Sequence, residues 1–347
     1  MDVPDLTPTD ARLVSEVLGP PGIAQRRAVA KVITLLESTR TDHRGRAEQV
    51  LGTLLPFSGE AFRLGVSGVP GVGKSTFIES LGLFLVEQGE RVAILAVDPS
   101  SSLGGGSILG DKTRMERLST HERAYIRPSP SSGALGGVAD RTREAMKVCE
   151  AAGYSIVIVE TVGVGQSEAA VAGMTDLFVL LQLPNSGDDL QAIKRGVTEL
   201  ADLIVINKSD LDEGAASRAR GHFVGALRLM GRQRYPAPTV DSCDTADAAS
   251  VWQPEVLQVS AITGEGLPEF WEAASRFRTV QASNGGFEHR RRTQDEAWMW
   301  ERIEAGLAER FRRHPAVRAL LPSLTTQVRE GAVAASAAAR RLLDAFH

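Results

Sequence analysis

Residues Gly68 to Ser75 read GVPGVGKS. They stand between a short apolar run, Phe62–Ser67, and a stretch in which Phe77, Ile78, Leu81 and Leu85 recur at helical spacing. The segment satisfies G-x-x-x-x-G-K-[ST] in full. A strand before it and a helix after it are the setting in which glycines let backbone N–H groups converge on an anion-sized hollow at the positive end of a helix. There Lys74 would reach the β- and γ-phosphates, and Ser75 would offer its hydroxyl to magnesium. A bare glycine-rich turn is the competing reading, and the agreement of motif, strand and helix argues against it.

Outward from this loop, between Phe62 and about Phe277, short β-branched runs alternate with longer helical stretches, the pattern of parallel strands joined by helical crossovers. The expected strands are Phe62–Ser67, Arg91–Val97, Tyr154–Glu160, Asp176–Leu183, Asp202–Asn207 and Glu255–Ser260. VAILAV, SIVIVE and DLIVIN are apolar almost throughout, as strands covered on both faces must be. The fold class is therefore α/β, a doubly wound, mostly parallel sheet with helical extensions at both ends. The expected division is a helical N-terminal extension (1–58), a nucleotide-binding domain (59–282) and a helical C-terminal extension (283–347).

In the last of these, Trp300, Ile303, Leu307 and Phe311 share a helix face, and an alanine-rich tail with Leu342 and Leu343 comes after Pro322. Such small residues allow close helix approach, either within the same domain or on a second subunit. Trp298 and Trp300 are expected to anchor helix packing, and the basic run His289–Arg292 to be a solvated helix start.

Composition narrows the function classes. A formal net charge of −4 provides no global field for nucleic acid or an anionic membrane. No apolar stretch approaches the roughly 20 residues that span a bilayer. The acidic, proline-broken start is unlike a secretory signal, and Cys149 and Cys243 make no disulfide framework, so a reducing cytoplasm is the expected compartment. Six dispersed histidines and two cysteines without metal-spaced partners weigh against a metal-insertion protein.

The base of the nucleotide is read farther on. Asn207, Lys208 and Asp210 form NKSD directly after an apolar strand, at the sheet edge where doubly wound folds place ligands. A carboxylate there can accept from guanine's ring N–H and exocyclic amine, a donor pair that adenine lacks. VSAITGEG at Val259–Gly266 comes after another strand, and its Ser260-Ala261 pair resembles the loop whose backbone holds the guanine carbonyl in GTPases. Asp98 and Glu160 each end a strand and are the candidates for fixing magnesium or its waters, although either could simply cap the loop or helix after it. Gly163 could bring a backbone N–H against the γ-phosphate.

Together GVPGVGKST, VDPSS with SILGDKTRM, ETVGVGQSE, GDDLQAIKRG at Gly187–Gly196 and NKSD resemble the MeaB/MMAA-type GTPases over nearly the whole chain. The resemblance implies a homodimeric GTPase that binds GTP/GDP and Mg2+. Its implied partner is an adenosylcobalamin-dependent acyl-CoA mutase, with a cobalamin adenosyltransferase as a further partner in cofactor loading.

Carried over by residue, it assigns Gly68, Val69, Pro70, Gly71, Val72, Gly73, Lys74, Ser75 and Thr76 to the phosphates. Ser75, Asp98 and Glu160 go to magnesium, and Asn207, Lys208, Asp210, Ser260, Ala261 and Ile262 to guanine. Lys74, Asp98, Glu160 and Gly163 are the implied catalytic set. The loops Asp98–Met115 and Glu160–Gln166 would be switches and Pro184–Gln191 an additional one, with Asn185 where a glycine would be expected. The alternative class is a kinase of the arginine/ornithine transport type, for which no acceptor motif is present. A binding module without turnover is the third.

Overall fold

The computed structural model describes residues 6–38, 40–97, 115–127, 135–161, 167–187, 195–230 and 252–346. Seven strands form one sheet: β1 (Phe62–Gly68), β2 (Val92–Val97), β3 (Ala124–Arg127), β4 (Ile156–Thr161), β5 (Leu177–Gln182), β6 (Leu203–Asn207) and β7 (Glu255–Val259). Their order is β3-β2-β4-β1-β5-β6-β7, and every pairing is parallel. β1 lies in the middle, flanked by β4 and β5, so the loop that leaves its carboxyl end emerges at the centre of one sheet edge.

The near-continuous apolar runs resolve into two faces by the period of two of an extended chain. Ala93, Leu95, Val157, Val159, Phe178, Leu180, Ile204 and Ile206 face one core. Val92, Ile94, Ile156, Ile158, Leu177, Val179, Leu203 and Val205 face the other. The first core is closed by three N-terminal helices, α1 (Pro8–Val17), α2 (Ile23–Glu37) and α3 (Thr41–Leu54), through residues such as Val29, Val32 and Ile33. The second is closed by α4 (Lys74–Glu87) and the helix Leu267–Ser283, whose Phe77 and Phe270 meet edge to face at 5.2 Å.

The chain divides into two units, residues 1–290 and 291–347, and the division falls inside the helix Gly286–Arg313. Within the basic run His289 and Arg292 are exposed as expected, and Arg290 departs from the solvated start. Arg290 is largely buried, and its guanidinium lies 3.2 Å from the Asp202 carboxylate, which also accepts from the Phe178 N–H. A carboxylate with no exposed surface beneath β6 needs a cation, and Arg290 provides it.

In the second unit Val317, Leu324, Ala338 and Leu342 form a small core of their own, so the alanine-rich tail packs on helix Pro315–Arg329. Trp300 departs from its expected role: it is 55% exposed, in line with exposed Ile303 and Leu307, while Phe311 turns onto Phe346. Among the described residues no helix is long and apolar enough to cross a membrane.

Candidate functional site

Four strand ends, those of β1, β4, β6 and β7, bring the sequence-selected residues to one edge of the sheet. The loop after β1 turns into α4 at Gly73, whose φ of 92° is left-handed and whose place in front of the helix leaves the first turn without a side-chain cap. Those N–H groups are the donors that a helix amino end holds out to an anion. Gly73 is required for a second reason, because a Cβ there would come within 2.8 Å of Asn207 Nδ2. The Lys74 ammonium donates to the carbonyls of Gly68 and Val69, at 2.7 and 3.3 Å, and is thereby held across the loop.

Ser75 opens α4 and donates its hydroxyl to Glu160 Oε1 at 3.1 Å. Glu160 lies on β4, only 5% exposed, so a buried carboxylate and a hydroxyl share the mouth of the loop. One residue on, Thr161 donates to Ser67 at 2.9 Å and pins the end of β4 to the end of β1. Asp98 and Gly163, both assigned from sequence, lie outside the described residues. So do 99–114, 162–166 and 188–191, the greater part of the three suggested switch loops. The described part of the third, Pro184–Gly187, is a short 3-10 turn with Asn185 exposed.

The NKSD segment is tied to the phosphate loop by direct bonds. The Asn207 side chain donates to Val72 O at 2.8 Å and accepts from the Ala261 N–H at 3.2 Å, so this buried amide joins three loops. Lys208 takes a positive φ of 60°, the only described non-glycine residue to do so, and its ammonium donates to Gly71 O at 2.8 Å. A left-handed non-glycine residue costs on the order of 1–3 kcal/mol and persists where surrounding bonds over-determine it, as they do here.

Asp210 and Ile262 are exposed on either side, while Ser260 and Ala261 are buried. The Ser260–Gly266 turn is closed by Ser260 N–H to Glu265 O at 2.9 Å and by Gly264 N–H to Ser260 O at 2.9 Å. Gly266 can only be glycine: its φ is 80° and a Cβ would sit 2.2 Å from Gln258 O. Sequence reasoning passed over Ser80, which donates to Ala261 O at 2.5 Å and ties this turn to α4. Ser80 lies one turn beyond the motif on a helix face, where serine has no signature of its own.

The arrangement joins an uncapped helix amino end, a hydroxyl–carboxylate pair and a second cluster of hydrogen-bonding groups on adjoining loops. Comparison with known proteins adds the rest. The family described as Methylmalonyl Co-A mutase-associated GTPase MeaB matches residues 29–316. The Methylmalonic aciduria type A homolog, mitochondrial, of Mus musculus is 46% identical over 333 residues, covering 93% of this chain and 77% of the mouse protein. GTPase ArgK of Escherichia coli K12 is 47% identical over 281 residues, covering 81% of this chain and 80% of its own. The crystal structure of an LAO/AO transport system kinase superposes with a TM-score of 0.74 at 34% identity, covering 97% of each chain.

Proposed function

The chain belongs to the methylmalonyl-CoA mutase-associated GTPase family, MeaB, and on that premise we propose that it is a magnesium-dependent GTPase serving as chaperone to an adenosylcobalamin-dependent acyl-CoA mutase. Its nucleotide state would set its grip on the mutase, gating cofactor loading and protecting or reactivating the enzyme. The candidate clients are methylmalonyl-CoA, isobutyryl-CoA and 2-hydroxyisobutyryl-CoA mutases, with a cobalamin adenosyltransferase as cofactor donor. The cytoplasm is the proposed setting.

The observation that carries the nucleotide assignment is the bonding of Asn207 and Lys208 to the carbonyls of Val72 and Gly71. It ties the segment that carries the exposed Asp210 to the glycine-rich loop, which supports a ligand with a triphosphate at one end and guanine at the other. In this reading residues Gly68–Thr76 take the phosphates. Asp210 accepts from the base, and the turn Ser260–Ile262 donates backbone N–H to its carbonyl. Lys74 leaves its loop carbonyls for the β- and γ-oxygens.

The hydroxyl of Ser75 and the carboxylate of Glu160 are hard oxygen donors of the kind magnesium takes, and their 3.1 Å approach fits a shared site. When bound, the ion would neutralise charge on the transferring phosphoryl group. The role proposed for Asp98 is to support that site, and for Gly163 to place an N–H at the γ-phosphate. Residues 1–58, 59–282 and 283–347 are proposed as N-terminal extension, nucleotide domain and dimerisation arm, and the exposed stripe Trp300, Ile303 and Leu307 supports a homodimer.

GTP turnover by the purified chain, measured with and without each candidate mutase, tests the reading. Hydrolysis to GDP and phosphate that responds to one mutase is the expected result. Transfer of the γ-phosphate to a small-molecule or protein acceptor would establish the kinase alternative instead.

A further inference from the structure

At the opposite edge of the sheet from the nucleotide loops, a cavity of about 580 Å³ opens where the chain enters β2, β3 and α2. Its walls carry three guanidinium groups, Arg26, Arg91 and Arg123, one carboxylate, Glu122, and an apolar rim that includes Pro21 and Ile23. Arginine stays charged at any ordinary pH. Three like charges around one cavity repel each other unless something compensates them.

Glu122 offsets one of the three charges at most. None of the three arginines forms an ion pair there. The bonds they make are to neutral groups. Arg26 donates to His121 O at 3.3 Å. Arg91 donates to Ala152 O at 2.7 Å, to Gly153 O at 3.1 Å and to Gln25 Oε1 at 2.7 Å, and it lies 4.4 Å over the Tyr154 ring. Carbonyls, an amide and a phenol ring orient a guanidinium but leave its charge intact. Gln25 is itself buried and fixed by bonds to Val17 O, Gly19 O and Ala152 O, each at 2.9 Å, so the position of Arg91 is built into the junction of α1, α2 and β4. This is the fixed, planar fork that arginine uses to take phosphate oxygens in pairs.

We infer that this cavity is a second binding site, for a small molecule carrying a diphosphate group. Three guanidiniums against one carboxylate leave two positive charges, and three forks around one cavity can take the oxygens of two linked phosphates, whereas a single phosphate would engage fewer of them. The volume lies in the range of small-molecule sites and exceeds what the anion alone would fill, so Pro21 and Ile23 are left to contact an organic body. The site is independent of the nucleotide reading. Strands of six residues at about 3.3 Å each put roughly 20 Å of sheet between the two edges.

The test is calorimetric titration of inorganic pyrophosphate into the full-length protein carrying one equivalent of GDP, so that the phosphate loop is filled and no free GDP competes for the cavity. One binding event is expected, weakening as NaCl is raised. The double variant Arg26→Gln, Arg123→Gln should lose tenfold or more in affinity, with the melting temperature of the free protein and its affinity for GDP unchanged. Arg91→Lys, which keeps the charge and loses the fork, should also weaken binding.

No heat from the wild type carrying one equivalent of GDP, or equal affinity in the double variant, would each overturn the site. Inorganic phosphate binding as tightly as pyrophosphate would overturn its assignment to a diphosphate.

Discussion

Asp210 stands exposed just past β6 and does nothing visible for the fold. In the proposed function its value lies in the two lone-pair directions that it can present to guanine. Asp210→Asn replaces one acceptor by a donor, which suits the second carbonyl of xanthine. A mismatched polar contact costs on the order of 1–3 kcal/mol, so the preference for GTP over XTP should fall by roughly tenfold or more. Competition of XTP and ATP against labelled GTP measures it, and ATP binding the unmodified chain as tightly as GTP would refute the guanine assignment. Gly73 tests the neighbouring loop. Gly73→Ala forces a Cβ to within 2.8 Å of Asn207 Nδ2 at a φ that alanine resists. It should cost on the order of 1–3 kcal/mol of stability, and nucleotide affinity should fall with it as the Asn207 bond to Val72 loosens. Denaturant titration alongside GDP binding separates the two losses, and a variant with native stability and affinity would show that the loop has room to yield.

Among the elements, α1 and α3 are joined by Asp10 and Arg46, whose guanidinium donates to both carboxylate oxygens at 3.0 and 2.8 Å while Thr7 donates at 2.7 Å. Arg46 first, and Thr7 after it, hold the Asp10 carboxyl below its ordinary value against the opposing effect of burial. The folded chain therefore takes up this proton less readily than the unfolded one. The stabilisation is complete above the ordinary aspartate pKa of about 3.9 and is lost as pH falls through and below it. The difference in unfolding free energy between the native chain and Asp10→Asn should shrink from pH 7 toward pH 3, and a difference independent of pH would exclude the ion pair as its source.

The six strands expected from sequence are all present to within two residues at each end, because parallel strands covered on both faces must be apolar throughout. β3 was not legible. AYIR is four residues long and pairs only with β2 at the sheet edge, so it carries too little apolar sequence to stand out. Arg290 misled for a related reason: a basic run reads as solvated until the fold sets a buried carboxylate beneath it. The segments Gly68–Thr76, Asn207–Asp210 and Ser260–Ile262, which the fold brings to one sheet edge, stood out in the sequence because the chemistry proposed for them depends on residues in fixed sequence order. The bonds of Ser80 and Lys208 that hold those loops together arise only from the packing of distant segments.

For the whole molecule, the question is what the exposed apolar residues and the nucleotide site have to do with partners. Trp300, Ile303 and Leu307 line one face of a helix at spacings of three and four, and each is at least 40% exposed. Truncation beyond Pro322 is a poor probe of that face, since Pro322 lies within a helix and the cut would open the small core of Val317, Leu324, Ala338 and Leu342. Trp300→Glu with Leu307→Glu leaves that core alone and should convert a dimer to a monomer in light scattering, with nucleotide binding retained. A native chain already monomeric, or a doubly substituted chain still dimeric, would refute the assignment. Phosphoryl transfer depends on an oriented nucleophile, and in small signalling GTPases a glutamine directly after the glycine of the second switch orients the water. Here the residue after Gly163 is Val164, which has no hydrogen-bonding side chain, and Gln166 comes two positions later. Hydrolysis by the chain alone should therefore be slow, on the order of a few turnovers per minute or less against the ~1–100 per second of kinases. A mutase that orients the water or contributes the missing group should raise it about tenfold or more, equivalent to ~1.4 kcal/mol of barrier. Single-turnover hydrolysis with and without mutase decides the matter. Fast turnover by the isolated chain, indifferent to every acyl-CoA mutase and abolished by Gln166→Ala, would mean that Gln166 already supplies the alignment and that the mutase is not what completes this site.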